Sequence, residues 1–289
     1  MRAAATEVPA RARRGGEADS GVRLGRVIRW AIIAGMVVGV LLPFVPLLLW
    51  SVSFSWRFPS LFPVEFSLRA WRYLGTPASK LGEALLGSLV VALTVTIISV
   101  IIGIPAGRAL GLYRFKGKTA MEFLILAPVI MPGIAVIMGI HVLFIRYGLS
   151  DTPLGVILVH LIPTTPYVVT VLAGVFANYD PDYEDQARVL GANSLRTFVR
   201  VTLPMIFPGV AVAGLFGFLI SWNQYVLTLI IGGGRVITLP LLLFGFARSG
   251  DNAIAAALAL VFLGPAILMI ILTTRYLTGS SAIGAFGRL

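Results

Sequence analysis

Few residues in this chain could do chemistry, and their spacing limits which chemistry. None of its 289 residues is a cysteine, which removes disulfides, thiolate metal sites and thiol nucleophiles together. The two histidines, His141 and His160, stand in apolar surroundings with no Asp, Glu or second His at ligand spacing, so neither reads as a metal ligand. A histidine in such a place suits hydrogen bonding between helices or the lining of a path. Residues 111–119, GLYRFKGKT, end like a phosphate-binding loop. That loop needs four residues between its glycines and a preceding strand, whereas Gly111 and Gly117 are separated by five and follow an apolar helix-length run. The segment reads as a basic turn. No acid–base pair or metal cluster suggests an enzyme.

Two polar constellations remain. Trp222, Asn223, Gln224 and Tyr225 set two amides and two amphipathic aromatics inside an otherwise apolar stretch. Amides there must meet a neighbouring helix or a wet cavity, and aromatic and amide groups together suit a polar organic solute. With His141 and His160 they are the candidate lining of a solute path. The second constellation is residues 180–208, DPDYEDQARVLGANSLRTFVRVTLPMIFP, the one long polar interval in the C-terminal two thirds of the chain. Asp180 followed by Pro181 reads as N-cap and first helical residue, and Asp182, Glu184 and Asp185 place negative charge where the helix dipole favours it. Leu190 closes the apolar run and Gly191 stands at the C′ position that stops a helix. Ser194 is placed to cap a second turn, and Leu203-Pro204 is expected to end the segment.

The elements that must hold these groups are membrane helices. The chain is 58% hydrophobic and 12% charged, with a mean hydropathy of +0.94, which excludes an ordinary soluble domain. Six apolar stretches, at about 30–52, 84–107, 121–145, 154–177, 206–231 and 253–274, are each long enough to cross a hydrocarbon core of about 30 Å as a helix. The expected fold is therefore an all-α membrane protein of six transmembrane helices filling residues 30–277, with a polar loop at about 178–204. Helix breakers are frequent inside the spans, among them Pro105, Pro128, Pro132, Pro163 and Pro166.

Charge orients the chain. Of the 23 Lys and Arg residues, 16 fall in the N-terminal tail, the turn after span two, the 178–204 loop and the C-terminal tail, and 7 on the other side. The positive-inside rule then puts both termini and the 178–204 loop in the cytosol. The net charge of +11 is spread by membrane side rather than gathered on one polar face, which argues against nucleic acid. Residues 1–29 lack an apolar face and are expected to stay disordered, and residues 278–289 form a second cytosolic tail. The outward loop at about 53–83 carries Trp56, Trp71 and Tyr73 as candidate anchors at the lipid headgroups.

The order of acidic helix, glycine elbow, second helix and Leu-Pro resembles the cytoplasmic signature loop (EAA motif) of ABC importer permeases. That pattern reads Glu-Ala-Ala, three residues, Gly, nine residues, Ile-x-Leu-Pro. Here Asp185-Gln186-Ala187, Gly191, Val201 and Leu203-Pro204 match it, with Asp for Glu, Gln for the first Ala and Val for Ile. From about residue 54 to 277 the chain looks like the spermidine and putrescine permeases, through PAGRALGLYRFKGK after span two and TLPLLLFGFARSGDNAIAAALAL at 238–260. Polyamine permeases often carry acids in the fifth span, where this chain has Asn223 and Gln224. That departure is closer to carbohydrate and glycerol-phosphate permeases.

The resemblance implies the importer-permease (MetI-like) fold and alternating access, with this chain as one half of a channel in the bacterial cytoplasmic (inner) membrane. The implied partners are two cytosolic ATP-binding subunits, a second and non-identical permease, an extracytoplasmic solute-binding protein and membrane lipid. ATP and Mg would sit on the ATPase, leaving no cofactor on this chain. The implied coupling residues are Tyr183, Glu184, Asp185, Gln186, Ala187, Arg188, Gly191 and Ala192. Their acids would pair with basic groups on the ATPase, Ala187 would allow close approach and Gly191 would supply the elbow. The alternative is an ion-gradient-driven secondary transporter, which usually places charged or unwound sites at mid-membrane.

Overall fold

The computed structural model describes residues 14–277, apart from 55, 57–59, 61, 64 and 132. The two tails at 1–13 and 278–289, and Arg57 of the outward loop, lie outside the described residues. In chain order the helices are α1 (Arg14–Leu41), α2 (Phe44–Ser51), α3 (Arg69–Leu74), α4 (Leu81–Leu112), α5 (Lys118–Ile130), α6 (Gly133–Arg146) and α7 (Pro153–Ala177). They continue as α8 (Asp182–Val189), α9 (Ser194–Thr197), α10 (Leu203–Trp222), α11 (Val226–Gly232), α12 (Leu239–Ser249) and α13 (Asn252–Leu277). One turn of π-helix, Phe198–Thr202, joins α9 to α10. Among the described residues the only β pairing is an isolated bridge between Ser53 and Phe66.

Helix α1 begins at Arg14, inside the basic 1–29 stretch. Once the apolar run has nucleated a helix, each further residue costs little to add. Two expectations about the crossings are corrected. The third crossing is not one helix: α5 and α6 divide it, and Met131 between them is extended at ψ 148, because a residue that precedes proline is pushed out of the helical region. Five single stretches, Arg26–Ser51, Leu81–Leu112, Pro153–Ala177, Ser194–Trp222 and Asn252–Thr274, are each long and apolar enough to cross. The pair α5 and α6 completes the six-crossing architecture. The fifth crossing stops at Trp222 and resumes at Val226, so residues 222–225 end a helix rather than lie within one.

The centre of the bundle is α4, α7 and α10, which pack on one another along most of their lengths. Their closeness comes from a row of glycines. Gly103, Gly107 and Gly111 repeat every four residues on α4 and so share one face. A Cβ at Gly107 would lie 2.7 Å from Leu172 Cβ, and one at Gly111 would lie 2.6 Å from both Phe176 Cβ and the Ala173 carbonyl oxygen. Lipid offers no hydrophobic drive for helix association, so close backbone approach of this kind does the work. Gly107→Leu is expected to split the α4–α7 pair and to cost about 1–3 kcal/mol or more. A drop in melting temperature of the detergent-solubilised chain, with loss of monodisperse protein, would register it.

On the outward side, Arg69 at the start of α3 donates Nη2 to both carboxylate oxygens of Asp251 at 2.8 and 2.9 Å. Asp251 Oδ1 also accepts the Ile254 N–H at 3.2 Å. One carboxylate thus caps α13 and ties the outward loop to it. Tyr73, expected as a headgroup anchor, instead sets its ring edge-on to Phe246 at 5.8 Å within the cluster that holds Ala70, Leu74 and Trp222.

Candidate functional site

The cytosolic loop is built by its own local signals. Asp180 Oδ1 accepts the Asp182 N–H at 3.0 Å, across Pro181, and three acids fill the first turn of α8. At the other end Gly191 adopts φ +86. Its N–H reaches the Arg188 carbonyl at 2.9 Å and the Ala192 N–H reaches the Ala187 carbonyl at 3.0 Å, which together form a Schellman stop. The second turn is capped by Asn193 rather than Ser194: Asn193 Oδ1 accepts the Arg196 N–H at 2.8 Å. Leu203-Pro204 does not end the segment but opens α10. The π turn at Phe198–Thr202 widens the helix just before Pro204, where a regular turn would clash with the ring.

Glu184 departs most from its expected role. It is 4% exposed and faces the membrane bundle, not the cytosol. Arg108, near the cytosolic end of α4, donates Nη1 to Oε1 at 2.6 Å and Nη2 to Oε2 at 2.8 Å, a fork-on-fork pair. Thr202 donates its hydroxyl to Oε1 at 2.8 Å and Arg188 reaches Oε2 at 3.3 Å. The Arg108 hydrogen bonds, helped by Thr202 and opposed by burial, hold the Glu184 carboxyl down at about 2. Arg108 in turn lies over the Phe176 ring at 5.9 Å. The clamp therefore joins α4, α8 and the π turn that leads into α10. The sequence reading missed Arg108 and Thr202. The available signal was a lone arginine one turn inside the end of an apolar helix whose other charge, Glu83, lies at the opposite end.

With Glu184 turned inward, the rest of the loop forms an outward face. Asp182, Tyr183, Asp185, Gln186, Arg188 and Gly191 are exposed, while Ala187 and Ala192 are half-buried. Arg188 Nη1 bonds Asp185 Oδ1 at 2.7 Å. At the elbow Val189 and Leu190 are each 88% exposed and Leu195 is 73% exposed. Three apolar side chains thus stand exposed at the cytosolic tip. None of the three was among the expected coupling residues.

The candidate path residues divide. Trp222 is 1% exposed, stacked between Phe218 at 5.4 Å and Phe262 at 5.5 Å, and its Nε1 donates to the Phe262 carbonyl at 3.2 Å. It is a core residue joining α10 to α13, not a path lining. Asn223 is exposed, and its Nδ2 donates to the Leu219 carbonyl at 2.7 Å. Gln224 is half-buried, and half-buried Tyr225 stacks on Phe244 at 4.3 Å. His160 is 1% exposed and bonded on both ring nitrogens, to Ser221 Oγ at 2.9 Å and Thr228 Oγ1 at 3.0 Å. It thus sits behind the 223–225 segment and not on an open surface. Half-buried His141 pairs with Ser150 Oγ at 3.2 Å, in the turn after its own helix. Among the described residues, no three His, Cys, Asp or Glu side chains gather as a metal site would need. Gly111 of the loop-like 111–119 segment is inside α4, packed on α7.

Comparison with known proteins agrees with this architecture. Residues 99–277 match the family described as binding-protein-dependent transport system inner membrane component. The putrescine transport system permease protein PotI of Escherichia coli (strain K12) is 32% identical over 186 residues, covering 61% of this chain and 66% of that protein. The trehalose transport system permease protein SugB of Mycobacterium tuberculosis (strain CDC 1551 / Oshkosh) is 27% identical over 273 residues, covering 90% and 97% respectively. The structure also resembles a chain in the crystal structure of a bacterial ABC transporter that imports the acidic polysaccharide alginate. The TM-score is 0.69 at 19% identity, over 94% of this chain and 100% of that one. A polytopic helical bundle whose family match spans most of its crossings and its cytosolic loop identifies the molecule: this chain belongs to the binding-protein-dependent transport system inner membrane components, and is a multi-pass inner-membrane permease subunit of an ABC importer.

Proposed function

We propose that this chain forms one half of the translocation pathway of an ATP-driven importer and receives the stroke of a cytosolic ATPase through α8 and the Gly191 elbow. The observation that carries the reading is the division of α8 into two faces. Glu184 is fastened to α4 and the π turn, while Tyr183, Asp185, Val189, Leu190 and Leu195 are presented outward. An element held rigidly on one side, with an exposed apolar elbow at its end, can take up displacement and pass it to the helices. ATP hydrolysis would then occur on two copies of a partner subunit, with ATP and Mg bound there. A second permease, which we take to be non-identical, would complete the pathway, and an extracytoplasmic binding protein would deliver the solute. We infer a small polar organic solute from the amides at Asn223 and Gln224. Relatives named for putrescine and trehalose support that breadth without favouring a polyamine. Family membership weighs against the ion-gradient carrier.

Co-purification from native membranes in mild detergent, with mass spectrometry of the recovered partners, tests the reading. The wild-type chain is expected to bring an ATPase subunit with it. Gly191→Pro is expected to lose it, because proline cannot take φ +86 and lacks the N–H that stops α8. A wild-type chain that emerges alone would overturn the proposed coupling through α8.

A further inference from the structure

The break in the fifth crossing lies beside α7, inward of that helix's outward end. Helix α7 starts on the outward side at Pro153, and His160 is seven residues on, about 10 Å deep at 1.5 Å per residue. The break beside it leaves backbone groups unpaired. Among the described residues, no backbone N–H reaches the Asn223 carbonyl, and the Tyr225 N–H finds no backbone acceptor. Non-helical backbone at such a depth survives only where protein covers it or water reaches it. Asn223 is exposed on this chain, so it faces the other half of the pathway or the water within it.

Something must also stop residues 223–225 from closing into a continuous helix, which would satisfy those groups. Thr228 uses its one hydroxyl proton on the Gln224 carbonyl at 2.9 Å. The 3.0 Å contact from His160 Nε2 to Thr228 Oγ1 is therefore a donation by the ring. A ring carrying one proton then accepts the Ser221 hydroxyl at Nδ1, 2.9 Å away. Ser221 is in the last turn of α10 and Thr228 in the first turn of α11. One imidazole on a third helix thus bridges the two sides of the gap.

We propose that His160 is a positioning residue for the pathway: it latches α10 to α11 across residues 223–225 and keeps that segment open, non-helical and wet. This rests on the reading of the chain as half of a pathway, since only a pathway gives water a reason to be there. The latch sets where the amides of Asn223 and Gln224 stand, and it holds α11 in the cluster formed by Val156, Val159, Leu227 and Ile231.

The absence of cysteine from the chain makes the test direct. Single cysteines are placed at Asn223, at Phe216 on the exposed side of α10, at buried Leu227 and at buried Val159. Membranes carrying the assembled complex are then treated with a water-soluble maleimide. Asn223→Cys is expected to react at least about a hundredfold faster than Phe216→Cys, since a lipid-facing thiol stays protonated and out of reach of the reagent. Adding His160→Leu is expected to speed labelling of Leu227→Cys by about tenfold or more through local opening, while Val159→Cys stays protected. His160→Gln, whose amide offers one donor and one acceptor, is expected to restore protection of Leu227→Cys, which a role in bulk packing alone would not do. If His160→Leu leaves Leu227→Cys protected, or exposes Val159→Cys equally, the latch is overturned. If Asn223→Cys reacts no faster than Phe216→Cys while the latch results hold, the wet pathway fails and the latch alone stands.

Discussion

Glu184→Ala is expected to be the most damaging single substitution in the cytosolic half of this permease. It leaves the Arg108 guanidinium, held at 2.6 and 2.8 Å by the lost carboxylate, partly buried with no anion. Breaking one side of a buried pair costs about 3–5 kcal/mol, whereas replacing both sides with apolar groups of similar volume is often nearly neutral. The expected result is a large fall in melting temperature for Glu184→Ala, and recovery of most of it in the double variant Arg108→Met, Glu184→Met. Recovery of stability should not bring recovery of solute-coupled ATP hydrolysis, because the methionine pair packs but no longer fixes the direction of α8. If the double variant couples normally, the clamp is packing and nothing more.

The same pair predicts a pH dependence with a definite sign. The Glu184 carboxyl is held at about 2, below its ordinary 4.5. A depressed carboxylate contributes stability that is fully present above the ordinary value and is lost as pH falls from there towards about 2. Between pH 5 and 8 the clamp should therefore contribute constantly, and thermal stability should fall below about pH 4.5. In Glu184→Gln that acid-side fall should be shallower. Equal slopes in the two proteins would assign the acid sensitivity elsewhere.

The second large effect is expected at the elbow. Leu190 is 88% exposed, so Leu190→Asp should change the stability of the isolated chain by no more than about 0.5 kcal/mol. If the elbow docks on the ATPase as proposed, the same change would set a carboxylate where an apolar side chain is buried. Loss of a buried leucine contact is worth about 1.5–3 kcal/mol, and an unpaired charge adds to that. Affinity for the ATPase should therefore drop by about a hundredfold or more, since each 1.4 kcal/mol is tenfold. Titration of ATPase subunits onto the permease in nanodiscs, paired with a melting curve of the permease alone, separates the two effects. A variant that melts normally and still binds the ATPase with wild-type affinity would move the docking face away from Leu190.

How much of this was legible in the sequence follows from the range over which each signal acts. Hydropathy and charge asymmetry sum over a whole span, so the crossings and the inward direction of the loop could be read without coordinates. Capping and stopping act within one turn, so the start of α8 at Asp180-Pro181 and its end at Gly191 were readable too. The stop between α5 and α6 was half-readable, because Pro132 announces a break but not whether the span survives it. Tertiary structure alone decided which face of α8 points inward, since that depends on Arg108, 76 residues away in sequence. It also decided that Trp222 is core, because its stacking partner Phe262 and the carbonyl it bonds lie 40 residues on. The aromatic and amide side chains of residues 222–225 look alike as a polar motif in an apolar run. Only the packing of α13 on one side and His160 on the other separates the anchored tryptophan from the exposed asparagine. Local chemistry determined where helices begin, end and cross. Contacts between distant helices determined what each polar group on them is for, because a side chain's role in a membrane bundle is set by what stands opposite it.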